Sequence, residues 1–566
     1  ATGREGWWYE GGGIYRNVWL EIKENISAAY NGVFIYSDVA LEEKSAVLNV
    51  QTEIENKQLN DCDVTVEQII YNADKKKIVQ TENTVLSYAW DNTFCKQNIV
   101  LNNVTLWDIE NPYLYSLKTN IYANGKLTYT VTTNFGVRDI YFDANKGFFL
   151  NGKNVKIKGL CCHHDHAGLG IAQNKNVFEY RIAQMKSMGA NAYRSAHHMP
   201  TDELLDICDR IGMFVFDETR RMSSAPQDLE CLRTMVKHAR NHPSVFLYGI
   251  GNEEIFSQHR KETARTTVTM KTEIRKLDPS RNITSAVVCW NGKERFDNAE
   301  QYVDVTKNLD VMGFNYCKTA WDDYHKHMPN QPIIITEASS NSGTRGCYST
   351  NETIGQYYIL DDDNGIKCKN SQKAQRKDIG ESEWKYFAER DYLAGIFLWT
   401  GMDYRGEPTP LVYPAISTQF GIFDYCGFPK DNFYYYKSWW TDEPTLHIFP
   451  HWNFENGEKI NVYCYSNLDE IELFVNGKSY GKKQMERNWY LTWENVVYET
   501  GGVTAKGYKD GKEVMTQTIK TTDAPYKIEL MPDKDNIAVG ETAIINVRIA
   551  DKNGITVPTA DNQIFF

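Results

Sequence analysis

Between about residues 140 and 440 the chain repeats one pattern, a short apolar run followed by a stretch of helical periodicity. The apolar runs are Val155–Cys161, Ala190–Ala196, Met213–Phe216, Val245–Ile250, Ile283–Val288, Leu309–Phe314, Pro332–Ile335 and Gly395–Trp399. After the first run, Phe178, Ile182 and Met185 fall on one helical face. After the second, Pro200-Thr201-Asp202-Glu203 reads as a helix start, with Thr201 as N-cap and two acids at the positive end of the dipole. Gly212 supplies the stop. Eight strand-then-helix units in roughly 300 residues predict a closed (β/α)8 TIM barrel, whose chemistry sits at the C-terminal ends of its strands.

Those strand ends are polar. The first is followed by His163, His164, Asp165 and His166, and the second holds Arg194 and His197. The third ends in Asp217-Glu218, and the fourth in Asn252-Glu253-Glu254. The fifth reaches Trp290, the sixth Asn315-Tyr316, the seventh Glu337 and the eighth Trp399. Purely structural strand ends would not collect Arg, His, Asn and Glu in this way. Strands four and seven face each other across a barrel mouth, so Glu253 and Glu337 can converge on one bound group. Two facing carboxyls are what glycoside cleavage requires, one to protonate the leaving oxygen and one to attack or to activate water.

The flanks have another texture. Leu48, Val50, Thr52 and Ile54 alternate with Val47, Asn49, Gln51 and Glu53, the period of a strand with two different faces. Asn124-Gly125, Asn476-Gly477 and Asp510-Gly511 mark tight hairpins. Immunoglobulin-like β-sandwiches are therefore expected at about residues 21–137 and 441–524, on either side of a barrel at 138–440, with a further β unit starting near 525 and running to 566. Residues 1–20 open without Met, directly into a motif typical of the inside of a folded unit, and the chain closes in a strand-like phase. The expectation is of a fragment. The 62 basic and 74 acidic residues leave a net charge of −12, which disfavours a nucleic-acid partner. No run of about 18 apolar residues predicts a membrane span. Twelve cysteines form no CxxC pair; most are expected as buried thiols, with Cys347–Cys368 a candidate disulfide. Five of the twelve histidines crowd into HHDH and HH, but no HExxH or Cys/His frame supports zinc.

At this point the chain resembles the family-2 glycoside hydrolases, in particular their multidomain β-galactosidase branch. RNHPSVFLYGIGNEE (240–254) is similar to the family's acid/base segment, IIITEASS (333–340) to its nucleophile segment, and NAYRSAHHMP (191–200) to its strand-two signature. WDIENPYLY (107–115) and LNGKNVKIKGL resemble the passage from sandwich to barrel, and WWYEGGGIYRNVWL the exit from an N-terminal jelly roll. GEPTP (406–410) and ELFVNGKSYGKK (472–483) resemble the segments after the barrel. His198-Met199 and Tyr248 depart from the family pattern, which implies a divergent branch.

The resemblance implies a retaining exo-glycosidase with Glu253 as acid/base and Glu337 as nucleophile. It implies that Arg194 and Tyr316 hydrogen-bond Glu337 and keep it ionised, and that Asn252 binds the sugar 2-hydroxyl. It further implies that His164, Asp165 and His197 hold sugar hydroxyls, that Asn315 lines the site, and that Trp399 floors it. Asp403, Arg405 and Glu407, after strand eight, are candidates for reading the non-reducing end. The loop lacks the Asn-x-Lys motif of the family's glucuronidases, so a neutral hexoside is expected, β-galactosides first; β-glucuronidase, β-mannosidase and a catalytically silent carbohydrate-binding relative remain alternatives. Some relatives use magnesium or sodium, but TRRMSS after Glu218 lacks their histidine ligand, so no cofactor is expected to be required. The carbohydrate substrate is the expected partner; a homo-oligomer and a secreted, periplasmic or lysosome-like compartment are compatible with the resemblance.

Overall fold

The computed structural model describes residues 8–289, 302–340, 343–358, 379–409 and 411–565. Eight parallel strands close into a barrel in sequence order: Ile157–Cys162, Ala192–Ser195, Phe214–Glu218, Val245–Asn252, Asn282–Val288, Met312–Asn315, Ile333–Ser339 and Leu393–Trp399. Closure is made by Ile157 pairing with Gly395 and Leu160 with Leu398. Every residue of the third, fourth, seventh and eighth strands is buried. That is why these runs read as continuously apolar rather than alternating: helices cover one face of a parallel strand and the barrel interior takes the other.

The helix signals act locally, and the structure follows them. Phe178, Ile182 and Met185 are buried on the helix Lys175–Ser187. The next helix, Asp202–Ile211, begins with the Thr201 side chain accepting from the Leu204 amide and ends at Gly212, whose φ of 77° is left-handed. A Cβ at Gly212 would lie 2.2 Å from the carbonyl oxygen of Ile109. Glycine is therefore required both by conformation and by the close approach of the preceding domain.

That domain is two antiparallel sheets. Three strands, Ile26–Ala40, Ser45–Asn56 and Asn92–Asn102, form one sheet, and Lys77–Ser87, Cys62–Tyr71, Tyr115–Ala123 and Lys126–Phe135 form the other. Leu48, Val50, Thr52 and Ile54 all face its interior. Trp107, fully buried, donates from its indole N–H to the Asp209 carbonyl at 2.9 Å, and Lys186 Nζ donates to Ile109 O at 2.8 Å. The sandwich is thus bolted to the N-terminal end of the barrel, away from the mouth. After the barrel, Leu446–Phe449, Lys459–Ser466 and Leu491–Val497 form a second three-stranded sheet. It faces Lys478–Gln484, Glu470–Val475, Gly502–Lys509 and Lys512–Lys520, and a two-stranded sheet, Lys527–Pro532 with Ile545–Ala550, follows. All three expected hairpin pairs adopt positive φ at both positions.

Among the described free cysteines, Cys62, Cys95, Cys161, Cys162, Cys208 and Cys464 are buried, as expected of most. A disulfide joins Cys289 to Cys317, with Cα atoms 5.8 Å apart. These residues stand at the ends of adjacent strands five and six, a proximity that 28 residues of sequence hide. Cys368 of the expected pair lies outside the described residues, as does Trp290.

Candidate active site

The mouth of the barrel is organised around one guanidinium. Arg194, fully buried on strand two, donates from Nε and Nη2 to Glu218 Oε2 (3.1 and 2.9 Å). Nη1 reaches Glu337 Oε1 at 2.8 Å and the Thr336 carbonyl at 2.8 Å, and Nη2 also reaches Asn252 Oδ1 at 2.7 Å. Asn315 Nδ2 donates to both Asn252 Oδ1 and Glu253 Oε1, each at 3.0 Å. An unbroken hydrogen-bonded path therefore runs Glu253–Asn315–Asn252–Arg194–Glu337, through the ends of strands two, four, six and seven. Glu218 holds the other side of the path: its Oε1 lies 2.7 Å from His197 Nδ1. Burial and the neighbouring Arg194 charge lower the His197 pKa well below its usual range, so the ring is neutral. A neutral ring beside a carboxylate carries its hydrogen on Nδ1. Nε2 is then an acceptor, and Asn252 Nδ2 lies 3.3 Å from it.

Both facing carboxyls are raised. Burial lifts Glu337 to about 8, with Arg194 pulling it down and Glu253 and Glu218 pushing it up. Burial also raises Glu253, against Asn315 and the Arg194 and Arg220 charges. Two neighbouring carboxyls that both resist ionisation hold one proton between them across neutral pH. The direct guanidinium contact at 2.8 Å suits Glu337 to carry negative charge once the shared proton is given up, whereas Glu253 has a neutral amide as its hydrogen-bond partner. Ionisation of Glu337 was expected from both Arg194 and Tyr316. Only the arginine makes that bond: the Tyr316 hydroxyl instead lies 2.7 Å from Ser340 Oγ, and the Tyr316 backbone is left-handed (φ 59°).

Of the remaining expected residues, Trp399 stacks on His197 with centroids 5.4 Å apart and planes 7° apart. Asp165 Oδ2 accepts from the Arg405 amide at 3.0 Å, and so pins the loop after strand eight. His164 stands among the rings of Phe178, His198 and Tyr15, and its described contacts do not join the Glu253–Glu337 path. The loop candidates separate. Asp403 is buried and paired with Lys430 Nζ at 2.7 Å, and Arg405 is exposed over the Tyr425 ring. Glu407 accepts from the Tyr404 hydroxyl at 2.5 Å, and burial raises its carboxyl to about 7, with Glu253 adding to the rise.

Several participants carry no sequence signal. Trp8 stacks on His163 (4.8 Å) and meets His197 edge-on (5.6 Å), while its backbone bridges to Gly406. Glu218 was visible as a strand end but not as the shared anchor of Arg194 and His197. Glu253, Tyr316, Cys317, Ser339, Ser340 and Glu407 all have positive φ. Such non-glycine positions cost of order 1 kcal/mol or more each and cluster at functional sites.

After Glu218, Arg220 donates from its guanidinium to the carbonyl of Asn252 at 2.5 Å, which brings a positive charge to the mouth. Among the described residues, Asp206, Asp209 and His242 bring ligand atoms within 4.8 Å of one another. They lie at the opposite end of the barrel, where His242 Nδ1 (2.7 Å) and the Ser244 amide (3.0 Å) already satisfy Asp209. No helix of the described residues is long and apolar enough to cross a membrane.

A closed (β/α)8 barrel with two linked carboxyls at its mouth, flanked by sandwiches, is the architecture of a barrel glycosidase. Residues 29–138 match Glycosyl hydrolases family 2, residues 143–228 and 219–391 match the TIM barrel domain of that family, and residues 457–515 match a domain of unknown function. A β-galactosidase of Bacteroides ovatus is 33% identical over 99% of this chain, which covers 71% of that protein. A putative β-glucuronidase of Formosa agariphila is 29% identical over 99% of the chain, which spans 55% of its length. The crystal structure of a family-2 member from Bacteroides cellulosilyticus superposes with a TM-score of 0.83 at 28% identity, over 98% of this chain and 72% of that one. The chain belongs to glycosyl hydrolases family 2 and is a glycoside hydrolase.

Proposed function

We propose that the chain is a retaining exo-glycosidase acting on terminal β-linked neutral hexosides, with β-galactosides as the leading substrates. The observation that supports it most directly is the hydrogen-bonded path that joins Glu253 to Glu337 and leaves them sharing one proton. In the first step, Glu337 attacks the anomeric carbon while Glu253 gives its proton to the glycosidic oxygen, and the aglycone leaves as an alcohol. The glycosyl ester formed on Glu337 is then hydrolysed: Glu253, now ionised, takes a proton from water, whose oxygen attacks the anomeric carbon and frees Glu337. Arg194 suits Glu337 both as nucleophile and as leaving carboxylate, because its hydrogen bond stabilises the anion without a proton. Asn252 has a second amide hydrogen beyond the one facing His197, fitting it to a hydroxyl beside the reacting carbon. The aromatic layer of Trp399 and His197 suits the apolar face of a hexose.

Neutral sugars are favoured because Arg194 is already committed to Glu218, Glu337 and Asn252, and because the relative from Bacteroides ovatus is named a β-galactosidase. Glucuronides form the second reading, on the name of the relative from Formosa agariphila. The test is a screen of 4-nitrophenyl β-galactoside, β-glucoside, β-mannoside and β-glucuronide, with proton NMR of the first-formed anomer. Galactoside turnover with the β-anomer released first is expected, and Glu337→Gln should lose it while keeping its circular dichroism. Turnover near wild type in that variant would remove the nucleophile assignment.

A further inference from the structure

The loop after strand eight carries one acidic group that the double displacement does not use. Glu407 is half-buried, and its backbone has a φ of 39°, unusual for a residue with a side chain. Its carboxylate is held by the Tyr404 hydroxyl at 2.5 Å. Tyr404 itself packs on His163 (4.3 Å) and Trp399 (5.8 Å), and Trp399 stacks on His197. His197 Nε2 comes within 4.0 Å of Glu337 Oε1. The charge of Glu253 acts on Glu407, and the charge of Glu407 acts on Tyr316. The carboxyl is therefore joined through Tyr404 to the aromatic layer beside Glu337 and lies within electrostatic reach of the acid Glu253. A sugar that rests on that aromatic layer with its glycosidic oxygen at Glu253 comes within reach of this carboxyl. The adjoining Gly406 is bridged to Trp8, and the Arg405 carbonyl accepts from the Tyr9 amide at 2.8 Å, so the loop is fastened in this position from outside.

We propose that Glu407 determines which sugars the site accepts: its carboxylate takes hydroxyl hydrogens of a neutral hexose and turns away a hexuronic acid. The inference rests on the reading of the mouth as a glycosidase site. A carboxylate accepts up to four hydrogen bonds and donates none, which matches the vicinal hydroxyls of a neutral sugar. A second carboxylate in the same position meets like charge without a compensating cation. In a partly desolvated site that repulsion amounts to roughly a hundredfold in specificity. Asp403 and Arg405 do not share the role, since the first is neutralised by Lys430 and the second faces solvent.

The experiment compares kcat/KM for 4-nitrophenyl β-galactoside and 4-nitrophenyl β-glucuronide at pH 7.5 in the wild type, Glu407→Gln and Glu407→Asp. In the Gln variant the galactoside-to-glucuronide ratio should fall at least tenfold, with the galactoside loss carried mainly by KM. The Asp variant keeps the charge but not the reach, so it should still reject the glucuronide while binding galactoside more weakly. A purely structural role would change both substrates together. If the wild type cleaves the galactoside and the ratio stays within twofold in both variants, the role assigned to Glu407 is wrong and the proposed function stands. If the wild type prefers the glucuronide, the proposed function falls and this inference with it. Should the Gln variant fail to fold, the Asp variant decides alone.

Discussion

Replacing Glu337 by Gln exchanges a buried titratable group for a neutral one of nearly equal shape, and the consequence for stability depends on pH. Burial lifts the Glu337 carboxyl from its ordinary 4.5 to about 8. In the unfolded chain the same group ionises near 4.5. Between those values the folded protein keeps a proton that the unfolded chain has released, so folding takes up a proton. Stability contributed by the protonated group is fully present below pH 4.5 and is lost as pH rises towards 8. At about 1.36 kcal/mol per pH unit, the interval from 5.5 to 8 is worth about 3 kcal/mol. Glutamine has no proton to lose and escapes this penalty. Arg194 is not left as an unpaired charge in the variant, because Glu218 still accepts from Nε and Nη2. The variant should therefore gain on the wild type by about 3 kcal/mol between pH 5.5 and 8.5, less whatever share of the proton passes to Glu253. For a barrel of this size that corresponds to an apparent Tm difference of about 5 °C, readable by differential scanning calorimetry at the two pH values. A variant-minus-wild-type difference that stays constant, or shrinks with rising pH, would refute the reasoning.

Two further substitutions probe the frame around the site. Gly212→Ala should cost at least about 2 kcal/mol, since it combines a left-handed φ with a Cβ 2.2 Å from the Ile109 carbonyl; a thermal transition unchanged from wild type would show that the sandwich–barrel junction yields freely. Glu218→Gln removes the charge that anchors both Arg194 and His197 and should lower kcat by about tenfold to a hundredfold with little change in KM. Wild-type kcat in that variant would mean that Arg194 is positioned by Asn252 and Glu337 alone.

The parts of the fold that could be read in advance are those whose cause is local. Thr201 caps its helix through a bond to an amide three residues away, and the Asn-Gly and Asp-Gly pairs make their turns through their own backbone preferences. The barrel was legible because each of its strands is buried on both faces and followed by a helix, so that eight repeats left few architectures. Glu253 and Glu337 were legible for the same reason: in a barrel, position after an apolar strand is position at the mouth. The loop candidates were not separable, because nothing in TGMDYRGEPTP tells that Asp403 meets Lys430 while Glu407 meets Tyr404.

Residue order by itself determined the eight barrel strands, the hairpins, the ends of the Thr201 helix and the place of the two carboxyls, since each depends on the preferences of neighbouring residues or on the periodicity they share. Tertiary structure decided the state of those carboxyls. The rise of Glu337 to about 8 comes from burial among strands two, three, four and seven, and the location of its charge from an arginine 143 residues away. It also decided that Tyr316 turns to Ser340, that Cys289 joins Cys317, and that Trp8 reaches the mouth. Desolvation and charge pairing depend on distance in space, and a closed barrel brings together strand ends that the chain keeps far apart.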